Sequence, residues 1–165
     1  MEKIDIANGL IFKELCISSD NFKNTLIGQK KIYLLESSGV DLGYSYDWYM
    51  SGPYSSELNK YIYENIDALL NIDFKGYSLS ENVKEMINKI NLLSEKKPKK
   101  SNDDYWYELL ASLLYIENNR ESWNITKPTD IYDSLIEQKS SFEMDDCEHA
   151  YDVLIKTGFI ETNGE

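Results

Sequence analysis

A chain of 165 residues has room for one domain, or for one core with a small second lobe, and needs neither disulfide nor metal to fold. Its 42% hydrophobic and 13% aromatic content excludes a disordered chain, and 29 acids against 17 bases leave a net charge of −12. That charge repels polyanions at long range, so nucleic acid is an unfavoured partner and a protein with a basic surface a favoured one. No apolar run reaches the about 18–20 residues of a membrane span, and the first residues carry no signal pattern. Cys16 and Cys147 lie in apolar-patterned segments and read as two buried, reduced thiols, which points to the cytoplasm.

Residues 4–17 place Ile4, Ile6, Leu10, Ile11 and Leu15 near helical spacing, although Gly9 weakens the pattern. Ser18 to Asn21 forms a break and a cap cluster before a second helix over 22–37, which Gly39 closes as a left-handed cap. Tyr44, Tyr46 and Trp48 then alternate with Ser45 and Asp47, the period-two pattern of a short strand or extended loop. Gly52-Pro53 punctuates it, and a stripe of Tyr54, Leu58, Ile62, Ile66, Leu69 and Leu70 predicts a helix over about 54–70. Phe74, Gly76, Tyr77 and Leu79 predict a second short extended segment over 74–79, after which Ser80 caps a helix over about 81–94.

Residues 95–103 hold Lys96, Lys97, Lys99 and Lys100, one proline and no apolar side chain. They mark a linker between an N-terminal lobe, 1–94, and a helical C-terminal part, 104–165. Beyond it, Trp106, Leu109, Leu110, Leu113, Leu114 and Ile116 predict a largely buried helix over 104–118. Thr126 or Thr129 caps a helix over about 129–139. A last helix over 143–157 ends at Gly158, and Phe159-Ile160 reads as a short strand or docking segment.

Phosphate-binding, dinucleotide, zinc-finger and metalloprotease motifs are all missing, so no cofactor is expected and the chain does not read as an enzyme. His149 is the only histidine, with no nucleophile motif near it. Asp145, Asp146, Glu148 and Asp152 make one helix acidic. The spacing of Asp145, His149 and Asp152 could hold a divalent cation, but acids near a helix N-terminus are also favoured by the dipole, and no metal is assigned. The most specific segment is Trp48 to Leu58. Gly52 permits backbone angles closed to other residues, Pro53 fixes the next angle, and Ser51, Ser55 or Ser56 can cap the helix behind them. Trp48, Tyr49 and Tyr54 surround this turn with rigid amphipathic surface of the kind that makes binding hot spots. The same cluster could instead only cement a strand-to-helix corner.

Residues 29–62 resemble the YwgA-like family of small bacterial proteins and, more distantly, the Panacea (SocA-like) antitoxin domain. The resemblance rests on Gln29, Lys30, Ile32 and Tyr33, on Tyr46, and on Gly52, Pro53, Tyr54, Ser55 and Leu58, with Ser51 where the family shows tyrosine. Residues 77–83 resemble a further family element, with Val83 in place of glycine. The resemblance implies a helical domain with winged-helix-like elements and association with toxin–antitoxin or phage-defence loci; it carries over no catalytic residue. The expected fold is therefore mainly α with one or two short β-strands. The expected function is that of a non-catalytic, antitoxin-like or defence/anti-defence accessory acting on a toxin, nuclease or defence-complex subunit. Its expected partner surfaces are Trp48, Tyr49, Tyr54 and Ser55, together with Asp145, Asp146, Glu148 and Asp152. A winged-helix nucleic-acid regulator is the alternative, and a homodimer stays open.

Overall fold

The structure, a computed structural model, describes residues 2–162. Its helices form where the apolar stripes and caps coincide. The first, α1 (Lys3–Glu14), precedes α2 (Phe22–Ser37), whose N-cap Asn21 accepts a hydrogen bond from the Asn24 N–H. A two-stranded antiparallel ribbon follows, β1 (Asp47–Tyr49) and β2 (Gly52–Tyr54), in the register Asp47–Tyr54, Trp48–Pro53 and Tyr49–Gly52. Then come α3 (Ser56–Leu70), α4 (Glu81–Leu92) with a 3-10 turn at Leu93–Lys96, α5 (Asp103–Asn118), α6 (Pro128–Gln138) and α7 (Met144–Lys156). Ser55, Ser80 and Asn102 cap α3, α4 and α5 through side-chain oxygens. The fold is mainly helical with one small sheet.

Helix α5 is the axis. Trp106, Tyr107, Leu109, Leu110, Ala111, Leu113, Leu114 and Ile116 are all buried in it, because α2, β2, α6 and α7 pack around it on different sides. A helix apolar on most of its circumference must be enclosed in this way. Helix α4 packs on α2, and α1 on α3. Gly9 is what lets α1 come close: a Cβ there would meet the Leu69 carbonyl and the Phe74 ring, each at 2.9 Å.

Both expected lobes feed one hydrophobic core. Two buried hydrogen bonds tie the flanks of the lysine segment together, from Trp106 Nε1 to the Leu93 carbonyl and from the Tyr107 hydroxyl to the Ile90 carbonyl, both 2.7 Å. His149 Nε2 also lies 2.7 Å from the Lys96 carbonyl oxygen.

Three local expectations change. Residues 74–79 are not a strand, because the Tyr77 N–H closes a turn onto the Phe74 carbonyl, Asp73 accepts from the Lys75 N–H, and Gly76 takes φ +85°. The Phe74 ring is spent on packing against α1. Gly52-Pro53 is itself the second strand, and the reversal falls at Met50-Ser51 instead. Proline is tolerated there because each strand of a two-stranded ribbon is an edge. Cys16 is exposed rather than buried. It takes φ 59° just past α1, where its N–H bonds to the Lys13 carbonyl and the Ile17 N–H to the Phe12 carbonyl, a helix stop that glycine usually occupies. Cys147 is buried as expected, and burial pushes its thiol up to about 12.

Candidate protein-binding site at the aromatic hairpin

Three-residue strands do not hold a hairpin in water unaided, so its support must come from neighbours. Helix α2 supplies the hydrogen bonds and α5 the packing. Gln29 grips Ser55 twice, accepting from its N–H and donating to its carbonyl, each at 2.9 Å. The next residue, Lys30, donates from Nζ to the Pro53 carbonyl. Tyr33 meets Tyr46 edge to face with centroids 4.9 Å apart. Glu36 accepts from the Tyr46 hydroxyl at 2.9 Å and from the Leu42 N–H at 3.3 Å. Burial first, then the Glu36 carboxylate beside it, holds the Tyr46 phenol protonated far above its ordinary range. The residues of the resemblance in α2 and in the turn thus hold each other.

Beneath the hairpin runs α5. Gly52 adopts φ +84° with Ser112 Oγ directly against it, so any Cβ at 52 would collide with that hydroxyl. Ser112 Oγ is buried and has no hydrogen-bond partner within the chain. Lys30 is only 1% exposed. Burial lowers its pKa to about 7, with Glu108 opposing that shift and Lys139 adding to it. Burial likewise raises the Glu108 carboxyl, which Lys139 and Lys30 partly offset.

The hairpin's outer face is what remains free. Met50, at the tip, is 95% exposed, and Tyr49 beside it is 50% exposed. Tyr49 packs edge to face on Tyr54, centroids 5.3 Å apart, so both rings are held. Trp48 turns the other way and is half-buried, against Tyr115 at 5.6 Å and Trp123 at 4.9 Å, with Lys139 Nζ 5.9 Å from its ring. Ser55 is buried, with its side chain capping α3 and its backbone bonded to Gln29, so it lies behind the surface rather than on it.

The acidic residues form a separate feature on α7. Asp145, Glu148 and Asp152 are exposed. Asp146 accepts a 2.7 Å hydrogen bond from the Tyr105 hydroxyl, and Asp152 pairs with Lys156 at 2.8 Å. His149 stacks on Trp106 and turns to the Lys96 carbonyl. Among the described residues no group of three His, Cys, Asp or Glu side chains converges as a metal ion would require. No hydrogen bond or ion pair among them links these acids to the hairpin. Among the described residues, too, no helix is long and apolar enough to cross a membrane. The chain matches no protein-family model, no curated protein and no solved structure.

Sequence reasoning missed the buried Lys30 as a structural element, and with it Glu108, Ser112 and Trp123. A signal for Lys30 was present. It sits between Ile27 and Leu34 on the spacing of the apolar face of α2, where a solvated lysine has no place. Nothing in the spacing announces that Ser112 lies under Gly52, since 60 positions separate them.

Proposed function

We propose that the chain is a non-catalytic, cytoplasmic protein-binding module that presents the hairpin tip to a partner protein. The observation that carries this reading is an almost fully exposed Met50 beside Tyr49, on a hairpin clamped from behind by Gln29 and Lys30. The Tyr49 ring, held on Tyr54, contributes apolar contact with little ordering cost on binding, and Met50 adds an adaptable thioether beside it. The net charge of −12 favours a basic partner. The resemblance of residues 29–62 adds the context, an antitoxin-like or defence/anti-defence accessory whose partner is a toxin, nuclease or defence-complex subunit.

The test is affinity capture from the native cell with the wild type and with Tyr49→Ser/Met50→Ser. Met50 points to solvent and Tyr49 touches only the rim of Tyr54, so the variant should keep the wild-type circular dichroism and lose little in its melting temperature. Its recovery of the captured protein should fall at least about tenfold, the loss of a hot spot worth about 1.4 kcal/mol or more. Equal recovery by the two proteins refutes the reading. A salt-sensitive shift of duplex DNA by the wild type would replace it with nucleic-acid binding.

A further inference from the structure

A second surface differs from the hairpin tip in shape and charge. Between α1, the 42–44 loop and α3 lies a groove of about 400 Å³. Its apolar side chains are Ile4, Leu42, Tyr44 and Tyr61. Ile4 is 63% exposed, while the other three are half-buried. Three carboxylates border them, Asp5 from α1 and Glu57 and Glu64 from α3, against the single cation Lys60. Among the described residues none of these three carboxylates forms an ion pair or accepts a hydrogen bond within the chain. Glu57 and Glu64 are seven residues apart on one helix, hence on one face and about 10 Å apart along it, with Tyr61 between them.

The groove is also preformed. Its loop wall is pinned where the Leu42 N–H donates to Glu36 and the Gly43 N–H to Asp41 Oδ1 at 2.8 Å, with Gly43 at φ +82°. Its floor is pinned where Asn8 Nδ2 donates to the Tyr61 hydroxyl at 3.2 Å. Binding therefore does not have to order the walls.

We infer that this groove takes a cationic amphipathic segment of the partner protein, with an aliphatic side chain on Ile4, Leu42 and Tyr44 and two Lys or Arg side chains reaching Glu57 and Glu64. This rests on the protein-binding reading and assigns it a second, electrostatic contact. Charge complementarity selects the occupant: an acidic or neutral segment would leave three carboxylates facing it unpaired.

The probe is a labelled 15-residue helical peptide with lysines seven residues apart and leucines three and four residues after the first lysine. Its binding to the purified protein is followed by fluorescence anisotropy at low and at physiological salt. The wild type should bind it, and Asp5→Asn/Glu57→Gln/Glu64→Gln should bind at least tenfold more weakly. A control that removes three carboxylates from α7, Asp145→Asn/Glu148→Gln/Asp152→Asn, should stay within threefold of the wild type. A peptide with serine for leucine should also lose at least tenfold. No binding by the wild type at low salt, or equal losses in the two triple variants, overturns the inference; equal losses would mean general attraction to an acidic chain. If the native partner is captured undiminished by the groove variant, the groove is wrong and the module reading stands. Failure to capture any partner bears on that reading, while the peptide arm still decides the groove.

Discussion

Lys30 shows how one side chain links packing to pH. Its ammonium is buried against the Pro53 carbonyl, and its pKa falls from 10.5 to about 7 on folding. Below pH 7 both folded and unfolded chains hold the proton. Between about pH 7 and 10 the unfolded chain binds it and the folded chain does not, so stability rises with pH, by up to about 1.4 kcal/mol per pH unit. Urea midpoints measured from pH 7 to 8, before the cysteines and tyrosines of the unfolded chain titrate, should climb for the wild type. For Lys30→Met, which keeps the stem and removes the charge, this contribution to the slope should vanish. Cys16 is the second informative residue. A β-carbon at φ 59° costs about 1 kcal/mol relative to glycine, and the exposed side chain leaves no cavity when removed. Cys16→Gly should therefore raise the unfolding free energy by up to about 1 kcal/mol in urea titration.

At the scale of elements, the hairpin depends on its clamp more than on its own ladder. Gln29→Leu would leave the buried Ser55 N–H unpaired, at about 1–3 kcal/mol, while the Ser55 carbonyl keeps the Asn59 N–H of α3. The variant should lose about 1–3 kcal/mol in chemical denaturation, and the amides of 47–54 should lose protection from hydrogen exchange first. The helices and four of their caps were legible in the sequence because stripe and cap chemistry are local: Asn21, Ser55 and Ser80 sit where the spacing asks for them, and Gly39 turns left-handed at φ +108°. Neither Thr126 nor Thr129 is the cap of α6, whose N-cap position is Lys127. Asp130 reaches back to the N–H groups of Thr126 and Lys127 and to the Thr126 hydroxyl, while Pro128 opens the helix. The strand expected over 74–79 failed for a non-local reason. A period-two pattern needs a partner strand, and here α1 offers Phe74 a packing surface at Gly9 instead.

Across the whole molecule, one core spans the lysine segment, with Trp106 and Tyr107 bonded back to residues that precede it. Unfolding should therefore be a single cooperative transition, with tryptophan fluorescence and far-UV circular dichroism in urea giving coincident midpoints. Separate transitions would mean two independent lobes. The site was half legible. Tyr49 and Tyr54 could be read as surface aromatics, because tyrosine pairs an apolar ring with a polar tip that suits the rim of a turn. Which way Trp48 turns depends on Trp123 and Tyr115, brought beside it by α5 and the loop after it, and no local pattern encodes that.

The place of Ser112 beneath Gly52 has a consequence for synthesis. Residues 47–54 leave the ribosome with α2 already made, so Gln29 and Lys30 are present to hold them. The floor of the hairpin is not, because Ser112 follows Gly52 by 60 positions. Until α5 emerges, the nascent chain lacks the floor on which the hairpin closes, and Trp48 is still without Tyr115 and Trp123. Its finished shape, and any partner's hold on it, comes late in translation.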